Sequence, residues 1–413
     1  MINGYLILIL TILLLNYLLE LAVALLNLRS LRPELPAEFI GVYDTGQYSR
    51  SQEYTRTTTR FSLFQSTISL VLTLVFILAG GFNLVDLFAR GFGLSSIATG
   101  LIFTGLLALL STAISLPFSV YSTFVIEQRF GFNTTSVTTF ILDNLKGMLL
   151  AIVLGGPLLA AILWFFETSG SMAWLYCWIA SVIFILVVQF LAPVVIMPLF
   201  NKFVPLAEGE LKESITGYAA AQRFAIQGIY TMDGSKRSTR ANAFFTGFGR
   251  FRRIVFFDTL MDKMTTGEIV AVLAHEMGHY KLKHIPVMMA LSILQMGLLF
   301  FILSLFLGNQ GLFAAFGMEH LSTYASLIFF GFLYAPISTL LAIGFNAFSR
   351  RNEYQADRFA AQTSADGEML ISGLKKLSVS NLSNLTPHPL HVVLNYSHPP
   401  ILARIEALRR PNN

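Results

Sequence analysis

Residues 271–284 read AVLAHEMGHYKLKH, a stretch in which two histidines recur at helical spacing. His275 and His279 are four residues apart, so on a helix they project from one face, one turn above the other. Two neutral imidazoles in that arrangement can bind one Zn²⁺, and Glu276 beside them suits a general base. Gly278 weakens the helix but allows another backbone or a substrate to approach closely. Because the chain has only seven histidines, a chance H-E-x-x-H is improbable. The stretch therefore predicts a zinc-binding helix.

The composition is that of an integral membrane protein. Of the 413 residues, 54% are hydrophobic and only 12% are charged, whereas about a quarter of an average soluble chain is charged. The net charge of +5 does not indicate a nucleic-acid partner, and we expect none, because membrane proteins collect Lys and Arg on their cytoplasmic side. The single cysteine, Cys177, excludes an intramolecular disulfide and a zinc site built from cysteines.

Seven apolar segments are long enough to cross a bilayer, since a helical crossing needs about 20 residues. The predicted spans are 5–26, 63–87, 94–120, 148–166, 172–200, 285–307 and 324–348. The first segment lacks a basic region before it and a small-residue cleavage site after it, so we interpret it as a retained span rather than a signal peptide. Glu20 within it should face protein or water, because a charge in lipid is costly.

The basic residues predict the orientation of these spans. Seven crossings place four segments on one side of the membrane, namely 27–62, 121–147, 201–284 and 349–413. All 28 Lys and Arg residues of the chain lie in these segments except Arg90. Such an excess marks the cytoplasmic side. We therefore expect the N-terminus outside, and the zinc helix and the C-terminus in the cytoplasm.

Two cytoplasmic segments are long enough to fold. In the first, we predict a loop and a polar helix from residue 201, strands within 224–233 and 253–261, and a helix over 266–284 capped near Thr265. The second segment is predicted to be helical, with a last helix that starts near Pro399 or Pro400. The predicted organisation has four parts. Five spans lie in 1–200 and two more in 285–348, and the segments 201–284 and 349–413 form the first and second parts of one metalloprotease domain.

A catalytic zinc has three protein ligands and one open position. The run RNEYQAD, residues 351–357, offers Glu353, with Asp357 one turn later on the same helical face. Glu353 is the predicted third ligand, and Asp357 suits a carboxylate that orients a ligating histidine through its other ring nitrogen. The alternative is a solvated charged helix below a membrane span. Competing third ligands are His284, which spacing turns off the shared face, His388 and His391 in a proline-flanked loop, and His398.

The zinc pattern indicates peptide hydrolysis. Glu276 is better placed to take a proton from the attacking water and pass it to the leaving amine than to bind the metal. The oxyanion that forms needs a further hydrogen-bond donor, and His398 in the run SHPP is a plausible one.

The chain resembles the type I CAAX prenyl endopeptidase family, the seven-span membrane zinc metalloproteases. The resemblance covers most of the chain in the family's order and is carried by FVIEQRFGFN (124–133), PLFNKFVPL (198–206), NAFFTGFG (242–249), RIVFFDTL (253–260), LAHEMGHY (273–280), RRNEYQADRFA (350–360) and SHPPILARI (397–405). It implies a mainly α, polytopic fold in which seven helices form a chamber, capped by a cytoplasmic zincin-like α+β domain.

The resemblance also implies roles for residues. It assigns zinc to His275, His279 and Glu353, the base to Glu276, and transition-state stabilisation to His398. It further implies that Asn242 and Ala243 line an edge strand along which the substrate adds by β-augmentation, and that Arg404 lies near the site.

We therefore expect a zinc metalloendopeptidase, with one Zn²⁺ per chain, that cleaves peptides near the C-terminus of isoprenylated or otherwise membrane-associated polypeptides. Its expected partners are such peptides and the lipid bilayer. The short loops resemble those of bacterial members, so we predict a bacterial inner membrane, or the endoplasmic reticulum membrane if the source is eukaryotic. The alternatives are a quality-control protease without a prenyl requirement, a transporter or channel with a structural zinc, and a non-catalytic scaffold. Retention of Glu276 is evidence against the scaffold.

Overall fold

The structure is a computed structural model that describes residues 3–246, 253–364 and 367–410. Seven of its helices are long and apolar enough to cross a membrane, as predicted. In chain-order numbering they are α1 (Gly4–Arg29), α2 (Thr45–Leu78), α4 (Ser96–Glu127), α5 (Val137–Thr168), α6 (Gly170–Phe200), α10 (His284–Phe306) and α12 (Thr323–Thr363). The other helices are α3 (Gly81–Arg90), α7 (Glu210–Ala221), α8 (Asp258–Met261), α9 (Thr266–Lys281), α11 (Gln310–Ala315), α13 (Gly367–Ser380), α14 (Pro389–Asn395) and α15 (Ile401–Arg409).

The second membrane helix differs from its predicted bounds of 63–87. Helix α2 ends at Leu78, and Gly80 adopts φ = 70° before α3 begins. The apolar run continues through this left-handed turn, which glycine enters at little cost, so hydropathy alone predicted one span. The same helix starts earlier than predicted, at Thr45, where the Asp44 side chain accepts a hydrogen bond from Gln47 N at 2.8 Å.

A four-stranded sheet precedes the predicted zinc helix. Its strands are β1 (Phe203–Pro205), β2 (Gly228–Met232), β3 (Ala243–Thr246) and β4 (Arg253–Phe257), in the order β1-β2-β4-β3. Strands β2 and β4 are parallel, and the two outer pairs are antiparallel. Strands β2 and β4 lie within the predicted segments, β1 lies in a predicted loop, and β3 forms one edge of the sheet. Residues 247–249 of the motif NAFFTGFG lie outside the described residues.

One hydrophobic core joins the sheet to α9. Ile254 and Phe256 of β4 pack with Leu273 and Met277 of α9, and all four side chains are buried. The start of α9 is a capping box, as its sequence predicted: the Thr265 hydroxyl accepts from Glu268 N, and Glu268 Oε2 accepts from Thr265 N at 2.8 Å. The core and the cap together fix the register of α9 against the sheet.

Helix α9 also packs closely against α12. A Cβ atom added to Gly278 would lie 3.0 Å from Ala356 Cα, so the glycine permits the backbone approach that its position in the motif predicted. Helix α9 ends at Lys281, short of the predicted residue 284. Lys283 adopts φ = 59°, and α10 starts at His284. This left-handed turn separates the two helices.

Two adjoining cavities share Thr58, Thr59 and His391. The first has a volume of about 750 Å³ and is lined by residues of α1, α2, α12 and α14, including Glu20. Glu20 thus lines a cavity, which agrees with the expectation that it faces protein or water. The second cavity, of about 710 Å³, extends to His398 and Arg404.

Candidate metal centre and active site

Three side chains from two helices converge where the sequence predicted a zinc site. The Nε2 atoms of His275 and His279 are 3.2 Å apart. Glu353 Oε1 lies 3.2 Å from His279 Nε2, and Glu353 Oε2 lies 3.4 Å from His275 Nε2. Metal–nitrogen bonds of 2.0–2.1 Å in a tetrahedral site separate two nitrogens by roughly 3.3 Å. The spacing of the ligand atoms therefore fits one tetrahedral divalent ion.

Glu353 gives an independent test of that fit. Its Oε2 is buried and, among the described residues, has no hydrogen-bond partner. Arg404 Nη1 lies 3.4 Å away but does not complete a hydrogen bond. A buried acceptor without a partner costs about 1–3 kcal/mol, and a cation beside it removes that cost. Two histidines and one glutamate are also a donor set of catalytic zinc sites.

His275 is held by a buried ion pair. Its Nδ1 lies 2.8 Å from Asp357 Oδ1, and Arg404 of α15 donates to the same carboxylate through Nε at 2.8 Å and Nη2 at 2.6 Å. This contact places the Nδ1–H of His275 on the carboxylate and leaves the Nε2 lone pair available for a metal. Burial alone would lower the pKa of His275, but the neighbouring carboxylates of Asp357 and Glu353 outweigh burial and raise the pKa to about 9 in the metal-free protein.

His279 is held differently, by residues that the sequence argument missed. Its Nδ1 lies 3.1 Å from His284 Nδ1, and His284 Nε2 lies 2.9 Å from Gln355 Oε1. Because Gln355 Oε1 only accepts, His284 carries its hydrogen on Nε2 and accepts from His279 Nδ1–H. His279 Nε2 is then free to bind a metal. The five-residue spacing to His284 placed it off the shared face, but the turn at Lys283 brings it back.

Glu276 and His398 lie on the accessible side of this cluster. Glu276 is half-buried, and within the described part of the chain its carboxylate has no hydrogen-bond or ion-pair partner. The side chain of His398 is 65% exposed, and its Nε2 lies 3.3 Å from Glu353 Oε1. Ser397 Oγ lies 2.9 Å from His398 Nδ1 and orients the ring. Both side chains can therefore reach a molecule that enters from solvent.

The remaining candidate residues lie elsewhere. His388 accepts from Leu390 N at the start of α14, and His391 pairs with Asn395, so neither joins the cluster. Asn242 precedes β3, and its carbonyl accepts from Phe257 N at 3.0 Å. Ala243 is the first residue of β3 and packs on the core shared with α9. The predicted edge-strand residues thus lie at an edge of the sheet.

Comparisons with known proteins agree with this geometry. Residues 24–202 match the family described as CAAX prenyl protease N-terminal, five membrane helices, and residues 205–412 match peptidase family M48. A CAAX prenyl protease 1 homolog from Oryza sativa subsp. japonica is 35% identical over 413 residues, which cover 98% of this chain and 97% of the rice protein. CAAX prenyl protease 1 from Saccharomyces cerevisiae is 36% identical, over 91% of this chain and 88% of the yeast protein.

A solved structure shows the same fold over the whole chain. The crystal structure of S. mikatae Ste24p superposes with a TM-score of 0.94 at 32% identity and covers 99% of this chain and 100% of that one. The seven-span architecture and the small sheet predicted by the resemblance are thereby confirmed. The chain belongs to the type I CAAX prenyl endopeptidase family, a membrane-spanning branch of peptidase family M48.

Proposed function

We propose that this integral membrane protein is a zinc endopeptidase that cleaves CAAX-type, isoprenylated or otherwise membrane-associated polypeptides near their C-terminus. Its membership of peptidase family M48 and its likeness to proteins named CAAX prenyl protease 1 support this function. The single observation that carries it is the cluster of His275, His279 and Glu353, in which a buried carboxylate oxygen lacks a hydrogen-bond partner.

The proposed cofactor is one Zn²⁺ per chain, held by Nε2 of His275, Nε2 of His279 and the Glu353 carboxylate. When bound, zinc acts as a Lewis acid on the scissile carbonyl and lowers the pKa of water. The Asp357–Arg404 pair orients one histidine, and His284 with Gln355 orients the other. Each support fixes the tautomer in which Nε2 faces the metal.

The residues of the chain supply the remaining steps. Glu276 takes a proton from the attacking water and returns it to the leaving nitrogen, a role that suits a half-buried carboxylate without a competing partner. His398 donates a hydrogen bond to the oxyanion of the tetrahedral intermediate. The substrate backbone adds to β3 beside Asn242 and Ala243, because β3 is an edge strand of the sheet.

The organisation of the chain follows from this function. We infer that 201–284 and 349–413 form one metalloprotease unit, interrupted by the two spans in 285–348 and preceded by five spans in 1–200. The distribution of Lys and Arg supports a cytoplasmic active site and C-terminus. A bacterial inner membrane stays our prediction for the location, with the endoplasmic reticulum as the eukaryotic alternative.

A substitution of the base tests this function. Glu276→Gln should abolish peptide hydrolysis, because the amide cannot accept the proton of the attacking water, while elemental analysis still finds about one zinc per chain. Cleavage of a farnesylated CAAX peptide by the purified protein in detergent measures the activity, with wild type as the control. Retained hydrolysis by the variant would contradict the assigned base. Equal cleavage of the same peptide without its farnesyl group would instead favour a protease with no prenyl requirement.

A further inference from the structure

The cavity beside the metal centre is large enough for a short peptide. Its volume of about 710 Å³ lies within the 300–1,000 Å³ typical of ligand sites. His398 and Arg404 line it near the metal ligands, and Arg240 and Tyr54 line it as well. Its wall also carries amide side chains, among them Asn381. A wall that combines polar and apolar groups in this way suits a peptide segment.

Arg240 is the accessible cation of this cavity. Its side chain is 38% exposed, and its Nη2 donates to Glu127 Oε2 at 2.9 Å and to the Tyr54 hydroxyl. The guanidinium also lies over the ring of Phe132, 4.3 Å from the centroid. Glu127 and Phe132 are not part of the cavity wall, whereas Tyr54 lines it beside the guanidinium. Among the described residues, Nε and Nη1 of Arg240 have no acceptor. Arg404, the other arginine of the wall, is buried against Asp357.

Asn381 occupies the edge of the sheet next to Arg240. Asn242 pairs inward with β4, so Ala241 and Ala243 turn their backbone groups to the outer edge. Asn381 Oδ1 accepts from Ala241 N at 3.3 Å, and Asn381 Nδ2 donates to Ala241 O at 3.4 Å. These are the two bonds that a neighbouring antiparallel strand would make. Ala243 N donates to Asn242 Oδ1 at 2.9 Å, so a strand added along β3 can pair with the Ala243 carbonyl but not with Ala241.

The direction of an added strand brings its C-terminus to Arg240. In an antiparallel pairing, substrate residues after the cut run from Ala243 toward Arg240. Three extended residues span about 10 Å, and Arg240 precedes Ala243 by the same number of residues. A C-a-a-X terminus has three residues after its lipidated cysteine. A peptide cut after that cysteine would place its last residue beside the guanidinium.

We propose that Arg240 binds the free C-terminal carboxylate of the substrate, and that Asn381 ends the strand so that about three residues fit between the cut and the carboxylate. This inference rests on the proposed function, because it takes a peptide cleaved near its C-terminus as the substrate. It adds a residue that determines specificity and the chemical group that it recognises. Glu127 and Tyr54 occupy Nη2, and the free Nε–H and Nη1–H point to opposite sides of the guanidinium. Each can therefore donate one charge-assisted hydrogen bond to a carboxylate oxygen.

The test compares one peptide in three forms, with a C-terminal carboxylate, with a C-terminal amide, and with one extra residue. The wild-type protein in detergent should cleave the acid about 10- to 100-fold faster in kcat/KM than the amide, the range expected for a charge-assisted hydrogen bond. In Arg240→Gln this ratio should fall to near one. Arg240→Lys, which keeps the charge but loses the planar guanidinium, should retain part of the preference. Asn381→Ala should raise cleavage of the extended peptide relative to the acid.

Arg129→Gln is the matched control. Arg129 pairs with Glu53 in the same region but does not line the cavity, so this variant should keep the wild-type ratio. Equal cleavage of acid and amide by the wild type, or an unchanged preference in Arg240→Gln, would overturn the inference while leaving the proposed function intact. If Arg240→Gln cleaves neither form, the inference is tested by the acid-to-amide ratio of kcat/KM in the wild type and in Arg240→Lys. Failure of the wild type on every form would instead contradict the proposed function.

Discussion

Different groups orient the two histidines of the candidate metal centre: a buried ion pair orients His275, and neutral side chains orient His279. His275 rests on the carboxylate of Asp357, which is 1% exposed and paired with Arg404. His279 rests on the neutral ring of His284, which in turn donates to Gln355. Removing one partner of a buried ion pair typically costs 3–5 kcal/mol, whereas a neutral hydrogen bond contributes about 1 kcal/mol.

The supports also belong to different parts of the molecule. Arg404 lies in α15, so the ion pair joins three segments that are distant in sequence. His284 is the first residue of α10, a membrane-spanning helix. Asp357 and Arg404, which hold the first histidine, lie on α12 and α15, whereas His284, which holds the second, is the first residue of α10. The comparison shows that one histidine is held by charge and the other by a short chain of neutral hydrogen bonds.

The largest effect is expected at the charged support. Asp357→Asn should leave the Arg404 charge buried without its partner and lower the free energy of unfolding by about 3 kcal/mol. Zinc affinity should fall by about 10- to 100-fold, because His275 loses the acceptor that fixes its tautomer. Unfolding in detergent and competition with a chromogenic chelator measure the two effects. Wild-type affinity in this variant would refute the orienting role of Asp357.

Removal of the ion tests His275, His279 and Glu353 together as one metal site. Chelation should lower the thermal unfolding temperature, because Glu353 then keeps a buried oxygen without a partner. At a free zinc concentration 100 times its Kd the bound ion stabilises by about 2.7 kcal/mol. Thermal unfolding before chelation, after it and after zinc is restored measures the loss and its reversal. An unfolding temperature insensitive to chelator would count against a site formed by these three residues.

The smallest effect is expected at the neutral support. His284→Leu removes the acceptor of His279 Nδ1–H and should cost about 1 kcal/mol of stability, with a loss of zinc affinity of about 10-fold. The same unfolding and competition experiments apply, with Asp357→Asn measured in parallel. If His284→Leu weakens zinc binding as much as Asp357→Asn does, the contrast between the two supports fails.

Much of this centre was predictable because its residues obey local helical geometry. The spacing of His275 and His279 and of Glu353 and Asp357 follows from the helical repeat. His284 was not predictable in the same way, since its position depends on a left-handed residue at Lys283, where no glycine marks the turn. The resemblance placed Arg404 near the site, but its pairing with Asp357 was not predicted, because the two residues are 47 positions apart in the sequence.

In the fold, too, elements set by local sequence were predictable, and elements set by distant partners were not. The spans were predictable because about 20 apolar residues have few alternatives to a membrane helix. The break at Gly80 was not, since the apolar run continues through it. Strand β1 has three residues, and its pairing with β2 depends on Met232 and its neighbours far along the chain. Short elements defined by distant partners leave little periodic signal in the sequence.

Helix α12 carries both Glu353 and Asp357 and runs without interruption for 41 residues. A helix of that length measures about 60 Å, twice the hydrocarbon thickness of a bilayer, about 30 Å. Its first half is apolar enough to span a membrane, and its second half bears Glu353, so one continuous helix connects the two regions. We expect a thinner or thicker bilayer that tilts this helix to move Glu353 relative to the histidines of α9. The lipid composition of the host membrane is then expected to influence the geometry of the proposed metal site.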